Sequence, residues 1–375
     1  MKKIGITTIY SVPNYGSVLQ AFATQEIIKK LGYECQIINY KYPNKWHYKI
    51  GFKKMKWTSR IAIFIGLKPQ HRKIKKLEKF KKTFFNFTRI YKDIDELKKE
   101  DWSQFYAIVV GSDQVWNPRF LKGDSAFMLS YLPDNIYRIS LASSFATNNI
   151  PSEYIYKYQK YLSKFNELSV REENGITIIK NQLKIDKNVE VILDPTLLLS
   201  NKEWLNLVPK SKLKTYHEYI LLYMLDYAFN PKPYIFDVIK YYQQKLGYKK
   251  VIALEGYTPQ KICGIKMINK TNSSIIELIE LFANANLVIT SSFHGTAFAI
   301  NFNKPLISIT PNDSGDDRQS SLLKDLGLSQ CIATSKINPA NLNPFYNVKE
   351  LTAKLESKRL KSINWIAQSL IKKQY

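Results

Sequence analysis

The sequence predicts an α/β protein built from two Rossmann-like domains, and three observations support this prediction. Short apolar stretches alternate with helical ones along the 375 residues, a pattern typical of parallel sheets that helices cover on both faces. The alternation restarts after a polar segment that contains Pro209, from Leu199 to Glu218, which is the expected domain boundary. A chain of 375 residues that is 45% hydrophobic can also bury the cores of two ordinary domains.

The N-terminal domain is predicted over residues 1–200. Its first apolar stretch, Ile4–Ile9, predicts a buried strand, and a turn rich in Pro, Asn and Gly follows it. Ser17 is expected to cap a helix that runs to Leu31, where Gly32 ends it. The other expected elements are a helix at Glu153–Asn166 and strands at Glu34–Tyr40, Phe105–Val110, Ile139–Phe145 and Val189–Leu193.

The C-terminal domain is predicted over residues 215–350, and a charged helix over residues 351–375 follows it. A long apolar-periodic stretch predicts a helix at Ser274–Asn286. The expected strands are Tyr219–Leu225, Val251–Leu254, Leu287–Ile289 and Leu306–Ile309.

Residues 41–92 are predicted to be a basic amphipathic insertion in the N-terminal domain, and they carry much of the net charge of +25. They contain seventeen Lys or Arg residues and one acid, Glu78, which gives a net charge of +16. Such a segment either packs its apolar face on the protein's own core, which is the commoner case, or lies on an anionic membrane surface. The apolar residues that recur at helical spacing are Ile74, Leu77, Phe80, Phe84 and Phe87.

The composition argues against several functional classes. Cys35, Cys263 and Cys331 lie far apart and form no Cys-x-x-Cys pair, which fits a reducing cytoplasm rather than a disulfide scaffold or a zinc site. No apolar run approaches the length of a bilayer span. We expect no obligatory metal or other cofactor, since no cluster of metal ligands is evident. We also expect no specific nucleic-acid partner, since the chain has no nucleic-acid motif beyond its charge.

The run from Leu287 to Ile300 contains the strongest candidate for a catalytic side chain, His294. An apolar strand ends in small polar residues, His294 stands just before Gly295, and an apolar helix begins. The N–H groups and the dipole of a helix N-terminus favour a bound anion, so His294 is predicted to lie beside an anion site. The alternative is a histidine whose hydrogen bonds are satisfied inside the fold.

Compact polar loops also follow the other predicted strands, where open parallel sheets bind their ligands. We interpret Asp113 and Arg171 as functional, with a structural ion pair as the alternative. The loop after Leu193 is interpreted as a turn and a helix start. The loops expected at the carboxyl ends of the strands are Pro13–Ser17, Gly111–Gln114, Ser143–Phe145, Val170–Glu172, Asp194–Thr196 and Ser291–Thr296.

Taken in order, these segments resemble the polysaccharide pyruvyl transferase family over roughly residues 1 to 330. Each motif alone is only moderately specific for this family. The whole set in this order is much more specific for it. The motifs are Asn14–Ala21 (NYGSVLQA), Val110–Asn117 (VGSDQVWN), Ser169–Glu172 (SVRE), Leu193–Leu198 (LDPTLL) and Ser291–Thr296 (SSFHGT).

The resemblance implies a fold like that of the GT-B glycosyltransferases, in which two Rossmann-like domains face a central cleft. It implies that the enolpyruvyl group of phosphoenolpyruvate, the donor substrate, is transferred to a sugar to form a pyruvate ketal, with release of phosphate. Such sugars are commonly carried on a lipid pyrophosphate at the inner face of the cell membrane. We therefore expect a cytoplasmic protein that residues 41–92 could hold at that face as a peripheral enzyme.

In the family, the histidine and the arginine that correspond to His294 and Arg171 are associated with phosphoenolpyruvate binding, and the chemistry of the transfer suggests roles for further side chains. Some members carry arginine where this chain has Ser292, so Arg318 is the expected substitute for that anion contact. His294 is expected either to donate a proton or to hold the phosphate, and Asp113 to take the proton of the sugar hydroxyl. The residues expected to bind the donor are Arg171, Ser292, His294, Gly295, Thr296 and Arg318. The residues expected to line the acceptor side are Asn14, Tyr15, Gly16, Ser112 and Gln114.

Two other functions stay open at this point. A GT-B-type glycosyltransferase would use a nucleotide-sugar donor, so a nucleotide and not phosphoenolpyruvate would stabilise it. A non-catalytic protein that binds membrane or nucleic acid would bind no small donor, and its binding to a polyanion would depend steeply on salt.

Overall fold

The computed structural model of the protein describes residues 2–41, 69–209, 217–312 and 316–372, without the side chains of residues 69–71. The described chain forms two compact units. The helix Val348–Ile371 begins in unit 2 and ends in unit 1. Unit 1 holds the described residues of Met1–Arg60, Lys81–Leu198 and Ser357–Tyr375, and unit 2 holds those of Ile61–Phe80 and Leu199–Glu356.

Unit 1 contains a parallel sheet whose seven strands have the order β3-β2-β1-β4-β5-β6-β7. The order reverses between β1 and β4, which pair from Ile4↔Ala107 to Thr7↔Val110. Ligands of open α/β sheets bind beside such a reversal, at the carboxyl ends of the strands. The strands are β1 Lys3–Thr7, β2 Glu34–Tyr40, β3 Phe87–Tyr91, β4 Ala107–Asp113, β5 Tyr137–Ser143, β6 Leu168–Val170 and β7 Val189–Val191.

The first helix of unit 1 shows how local chemistry sets an element boundary. Asn14, in an extended conformation, accepts hydrogen bonds from the backbone N–H groups of Gly16 and Ser17 and so caps the helix Tyr15–Lys30. The prediction that Ser17 caps this helix was therefore wrong, since Ser17 already lies in its first turn. The other helices that end in unit 1 are Pro69–Phe84, Ile94–Lys98, Pro118–Leu121, Ser152–Leu162, Glu173–Thr177 and Pro195–Leu198, with short 3-10 and π turns at Ser125–Met128 and Ile178–Gln182.

Unit 2 repeats this plan with a parallel sheet of six strands in the order β10-β9-β8-β11-β12-β13. The order reverses between β8 and β11, which pair from Leu287↔Ile220 to Thr290↔Tyr223. The strands are β8 Tyr219–Tyr223, β9 Lys250–Glu255, β10 Met267–Asn269, β11 Leu287–Thr290, β12 Leu306–Ile309 and β13 Ile332–Ala333. Its helices are Asn201–Leu205, Tyr234–Leu246, Gln260–Cys263, Ile275–Asn284, Phe293–Asn301 and Arg318–Asp325, with 3-10 turns at Ser329–Cys331 and Pro339–Asn341.

The two parallel sheets confirm the predicted fold class. The sequence missed the short strands β3, β6, β10 and β13, which have five, three, three and two residues. None of these four strands contains more than two apolar residues in succession, so no apolar run marks them as buried strands. Among the described residues, none of the helices combines the length and the apolar character needed to cross a membrane.

The basic insertion is described from Pro69 onward, and residues 42–68 of the prediction lie outside the described residues. The helix Pro69–Phe84 buries its apolar face, since Leu77 and Phe80 are 1% and 6% exposed. Phe87 belongs to strand β3, so it does not continue this helix face as predicted. The described part of the insertion therefore packs its apolar residues on the protein itself.

Candidate active site

At the carboxyl edge of the unit 1 sheet, the reversal between β1 and β4 brings Ser17 to Asp113. The Ser17 hydroxyl donates a hydrogen bond to Asp113 Oδ2 at 2.9 Å. Asp113 ends β4 with φ at 70°, a left-handed conformation that residues other than glycine seldom adopt. Among the described residues, seven others besides the glycines share a positive φ, so the backbone alone does not mark Asp113 as functional.

Arg171 follows β6 and is the centre of a buried ion cluster with Asp113, Glu172 and Asp194. Its NH1 group donates to Asp194 Oδ2 at 2.9 Å, and the nearest oxygens of Glu172 and Asp113 lie 3.7 and 3.9 Å from its nitrogens. The Arg171 side chain is only 2% exposed. One guanidinium thus faces three carboxylates, which keeps the charge of Arg171 compensated in the interior.

Asp194 connects three strand ends through its two carboxylate oxygens. Its Oδ2 accepts from the Ser112 hydroxyl at 2.9 Å as well as from Arg171. Its Oδ1 accepts from the backbone N–H and the hydroxyl of Thr196, at 2.9 and 2.7 Å. The loop is a helix start, as the sequence suggested, and it also supplies the carboxylate that holds Arg171.

The residues predicted to line the acceptor side have defined local partners in unit 1. Asn14 caps the first helix, and Gln114 accepts a hydrogen bond from the Asn117 side chain at 2.7 Å. Tyr15 is fully buried, so its contact with an acceptor would require the surrounding side chains to move. Their proposed role in acceptor binding stays a prediction.

At the carboxyl edge of the unit 2 sheet, His294 lies in the first turn of the helix Phe293–Asn301. Ser292 caps this helix by accepting from the backbone N–H of Gly295. The His294 side chain is buried, and its ring stands edge-on to the Phe293 ring at 5.3 Å between centroids. The imidazole thus sits beside a helix N-terminus, as the sequence predicted.

Gly295 allows this helix to approach the sheet closely. A Cβ atom on Gly295 would lie 2.2 Å from Thr290 Oγ1 and 2.8 Å from the Tyr223 ring. Thr290 Oγ1 itself donates to the Tyr223 carbonyl at 2.7 Å and accepts from the Ser292 N–H at 3.0 Å. A side chain at position 295 would therefore displace the loop that carries His294.

Neutral hydrogen bonds hold the edge around Thr296 and Ser291. The Thr296 and Ser308 hydroxyls are 2.7 Å apart, and the Gln319 amide donates to Ser308 Oγ at 2.8 Å. The Ser291 hydroxyl donates to the Leu225 carbonyl at 2.7 Å, across the reversal between β8 and β11.

Arg318 begins the helix after β12 and is buried. Its guanidinium donates to both oxygens of Asp316 through Nε and NH2. Burial raises the pKa of the neighbouring Asp317 above the usual aspartate range. Asp316 already accepts hydrogen bonds from the Arg318 guanidinium. An anion would have to displace Asp316 to make the predicted contact with Arg318.

The structure thus divides the predicted site residues between two edges. Unit 1 brings Ser112, Asp113 and Arg171 together, and unit 2 brings together Ser292, His294, Gly295 and Thr296. The prediction did not name four polar partners in unit 1 as site residues, although each stands shortly after a strand or at the start of a helix. These omitted partners are Ser17, Ser144, Glu172 and Asp194, with the Ser144 hydroxyl donating to Glu172 at 2.7 Å.

Within the described residues, no three His, Cys, Asp or Glu side chains are grouped as metal ligands.

Comparisons with known proteins agree with this architecture. No curated protein matches the chain in sequence. UDP-GlcNAc 2-epimerase from Neisseria meningitidis, bound to UDP-GlcNAc, superposes with a TM-score of 0.56 at 11% identity, with 99% of this chain and 100% of that chain covered. UGT71G1 of Medicago truncatula, in complex with UDP-glucose, gives a TM-score of 0.50 at 9% identity and covers 98% of both chains. These likenesses identify the fold as the type shared by GT-B glycosyltransferases and UDP-GlcNAc 2-epimerases.

A sequence model of one family covers most of the chain. The polysaccharide pyruvyl transferase model matches residues 14–314, a range that contains Asp113, Arg171 and His294 and ends before Arg318. The chain therefore belongs to the polysaccharide pyruvyl transferase family.

Proposed function

We propose that the protein transfers the enolpyruvyl group of phosphoenolpyruvate to a sugar of a polysaccharide precursor, closes a pyruvate ketal and releases phosphate. The observation that carries this proposal is the family match over residues 14–314. Its matched range includes three side chains with acid, base or cationic character at carboxyl ends of strands: Asp113, Arg171 and His294.

The proposed reaction balances without a redox partner. A proton adds to the methylene carbon of phosphoenolpyruvate, which makes the neighbouring carbon electrophilic. A sugar hydroxyl oxygen bonds to that carbon, and the bond from the carbon to the phosphate oxygen breaks. A second hydroxyl then closes the ketal. The two hydroxyls lose two protons in total. One of them makes up for the proton that the methylene carbon took up, and the other leaves with the phosphate.

Asp113 is the proposed base for a sugar hydroxyl. Its Oδ2 is oriented by the Ser17 hydroxyl at 2.9 Å, and Arg171 lies 3.9 Å from its Oδ1. A carboxylate held by a neutral donor and a nearby cation keeps its orientation while it accepts a proton.

His294 is the proposed donor-side residue, as a proton donor or as an anchor of the phosphate. His294 lies in the first turn of the helix Phe293–Asn301, so an anion bound to it would lie beside backbone N–H groups and the positive end of the helix dipole. Imidazole can both carry a proton and donate a hydrogen bond to phosphate, so the two roles use the same position.

Arg171 is proposed to contact the carboxylate of the donor. Because three carboxylates already surround it, we expect an anion to gain less from Arg171 than from an isolated arginine. The acceptor is proposed to be a sugar on a lipid pyrophosphate. Phosphate release should then depend on a lipid-extracted precursor as well as on phosphoenolpyruvate.

The alternative function is glycosyl transfer from a nucleotide sugar. The observation that favours it is that solved proteins of this fold are bound to UDP-sugars, although identities of 9–11% show the fold alone. The two functions differ in the donor that binds.

Calorimetry distinguishes the two donors. We expect wild type to bind phosphoenolpyruvate and not UDP-GlcNAc or UDP-glucose, and Arg171→Lys to weaken that binding about tenfold or more because lysine lacks the planar fork. Arg89→Lys is the matched control, since Arg89 is 57% exposed and pairs with Glu100 away from the cluster. Binding of a UDP-sugar without binding of phosphoenolpyruvate would establish the alternative.

His294→Gln separates the two roles of the histidine. Retained affinity for phosphoenolpyruvate with loss of phosphate release would support proton donation. Loss of affinity would support anchoring of the phosphate.

A further inference from the structure

The helix Tyr15–Lys30 of unit 1 contains two fully buried glutamines, Gln20 and Gln25, whose amides contact different parts of the unit. The Gln25 amide is paired at both ends. Its Oε1 accepts from the backbone N–H of Asn86 at 2.9 Å, and its Nε2 donates to the Phe84 carbonyl at 2.7 Å. Gln25 therefore joins the first helix to the segment that precedes β3, at the amino end of that strand.

Gln20 uses the donor half of its amide at the carboxyl end of β1. Its Nε2 donates to Thr8 Oγ1 at 2.8 Å, to the Ile9 carbonyl at 2.9 Å and to the Ser17 carbonyl at 3.0 Å. Its Oε1 is buried and accepts no hydrogen bond from the described part of the chain. A buried acceptor without a donor lowers stability, so stability alone does not explain a glutamine at this position.

Two hydrogen-bond routes lead from the Gln20 amide to consecutive residues at the end of β4. On one route, Thr8 Oγ1 accepts from Gln20 and donates its own hydrogen to the Ser112 carbonyl at 3.3 Å. On the other, the Ser17 carbonyl accepts from Gln20, and the Ser17 hydroxyl donates to Asp113 Oδ2 at 2.9 Å. The direction of each route is fixed, because an amide nitrogen can only donate and a carbonyl oxygen can only accept.

The backbone and the side chain of Asp113 are held by different groups. The Asp113 carbonyl accepts from the backbone N–H groups of Val115 and Ser144, at 2.8 and 3.0 Å. Among the described residues, the Ser17 hydroxyl is the one hydrogen-bond donor to the Asp113 carboxylate, and Arg171 lies 3.9 Å from it. The orientation of the carboxylate therefore depends on where Ser17 is held.

We propose that Gln20 is a positioning residue that orients the Asp113 carboxylate through Ser17. The Gln20 amide fixes the first turn of the helix against the end of β1, and the Ser17 hydroxyl then holds Asp113 in one orientation. The catalytic consequence rests on the proposed function, in which Asp113 is the base. The coupling between Gln20 and Asp113 does not depend on any reaction.

A double-mutant cycle in denaturant unfolding tests this coupling. Gln20→Met and Asp113→Ala should be non-additive by about threefold or more in the equilibrium constant for unfolding, as expected within one hydrogen-bond network. Gln25→Met is the matched control, and its effect should add to that of Asp113→Ala. If Gln20→Met does not fold, Ser17→Ala takes its place, since it removes only one hydroxyl. Additive effects of Asp113→Ala with Gln20→Met, or with Ser17→Ala in its place, overturn the proposal.

Phosphate release from phosphoenolpyruvate with a lipid-extracted precursor tests the role of Gln20 in the reaction. Gln20→Met and Ser17→Ala should each lower turnover about tenfold, because a misoriented base slows proton removal. Calorimetry should show unchanged affinity for phosphoenolpyruvate, since the donor contacts remain. Gln25→Met should keep the turnover of the wild type. In the Asp113→Ala background, Gln20→Met should have no further effect on turnover.

The kinetic results separate positioning from a general loss of structure. An equal loss of turnover in Gln20→Met and Gln25→Met overturns the proposal, and so does a further loss caused by Gln20→Met when Asp113 is already absent. If wild type releases no phosphate from phosphoenolpyruvate, the proposed pyruvyl transfer fails, and the unfolding cycle alone decides whether Gln20 orients Asp113.

Discussion

The carboxyl edges of the two sheets have the same topology and different chemistry. Each lies at a reversal of strand order, between β1 and β4 in unit 1 and between β8 and β11 in unit 2. Unit 1 holds its edge with a buried ion cluster around Arg171. Unit 2 holds its edge around Thr296 with hydroxyl and amide hydrogen bonds, and the ion pair of Arg318 with Asp316 lies in the loop after β12. A Rossmann-like sheet thus determines where a site lies, and the side chains after its strands determine what it can bind.

The largest expected effect comes from breaking the ion cluster. Asp194→Asn replaces one carboxylate oxygen with an NH2 group and removes the negative charge at a fully buried position, so one oxygen is left to accept from Ser112, Arg171 and Thr196. We expect it to lower the free energy of unfolding by about 3 kcal/mol, the lower end for a broken buried pair, because Glu172 and Asp113 remain near the guanidinium. Denaturant unfolding measures this change.

Two thiols report which unit is affected by Asp194→Asn. Burial raises the pKa of Cys35 in unit 1 and of Cys331 in unit 2 to about 12, so neither should react at neutral pH in the folded chain. The variant should speed the labelling of Cys35 more than that of Cys331. Equal acceleration of the two labelling rates would mean that unit 1 and unit 2 open together.

The second largest effect is expected in unit 2, at a position where close packing leaves no room for a side chain. Gly295→Ala places a Cβ against Thr290 Oγ1 and the Tyr223 ring, at 2.2 and 2.8 Å before any adjustment. Overpacking of this kind costs about 1–3 kcal/mol, measurable by thermal or denaturant unfolding. An unchanged melting temperature would show that the loop before His294 can shift without strain.

A matched pair of threonines compares the two edges directly. Thr196 donates to a carboxylate in unit 1, and Thr296 shares a hydrogen bond with the Ser308 hydroxyl in unit 2. Hydrogen bonds to charged groups contribute about 1.5–3 kcal/mol and neutral ones about 0.5–1.5 kcal/mol, so Thr196→Val should destabilise the protein more than Thr296→Val. The reverse order in denaturant unfolding would contradict the view that charged groups hold the edge around Thr196 and neutral groups the edge around Thr296.

The smallest expected effect is a pH dependence in unit 2. Burial raises the pKa of Asp317, so the folded state binds more protons than the unfolded state as pH rises from the usual aspartate range to the raised value. The stability that Asp317 contributes is complete below that window and is lost as pH rises through it. Asp317→Asn should therefore make the melting temperature fall less between acidic and neutral pH, and an unchanged pH profile would show that burial of Asp317 is unimportant for stability.

The sequence by itself determined the sheets and the edges at which polar groups collect. Buried parallel strands are continuous apolar runs, and their ends are marked by small polar residues, so β4, β11 and β12 can be recognised from near neighbours alone. The position of His294 at the start of a helix follows from the same local pattern. The family resemblance rested on these edges and was confirmed by the family match.

Only the tertiary structure decided which polar groups pair. Arg171 meets Asp194 because the ends of β6 and β7 lie side by side, and 23 residues of sequence spacing carry no such information. The same holds for the basic helix, whose apolar face is buried and whose Lys76 pairs with Glu277, 201 residues away. Exposure is likewise decided by the tertiary structure. Ile262 is 69% exposed, although sequence patterns cannot distinguish it from a core residue. Local spacing sets the elements, whereas pairing and exposure depend on distant segments that only the folded chain brings together.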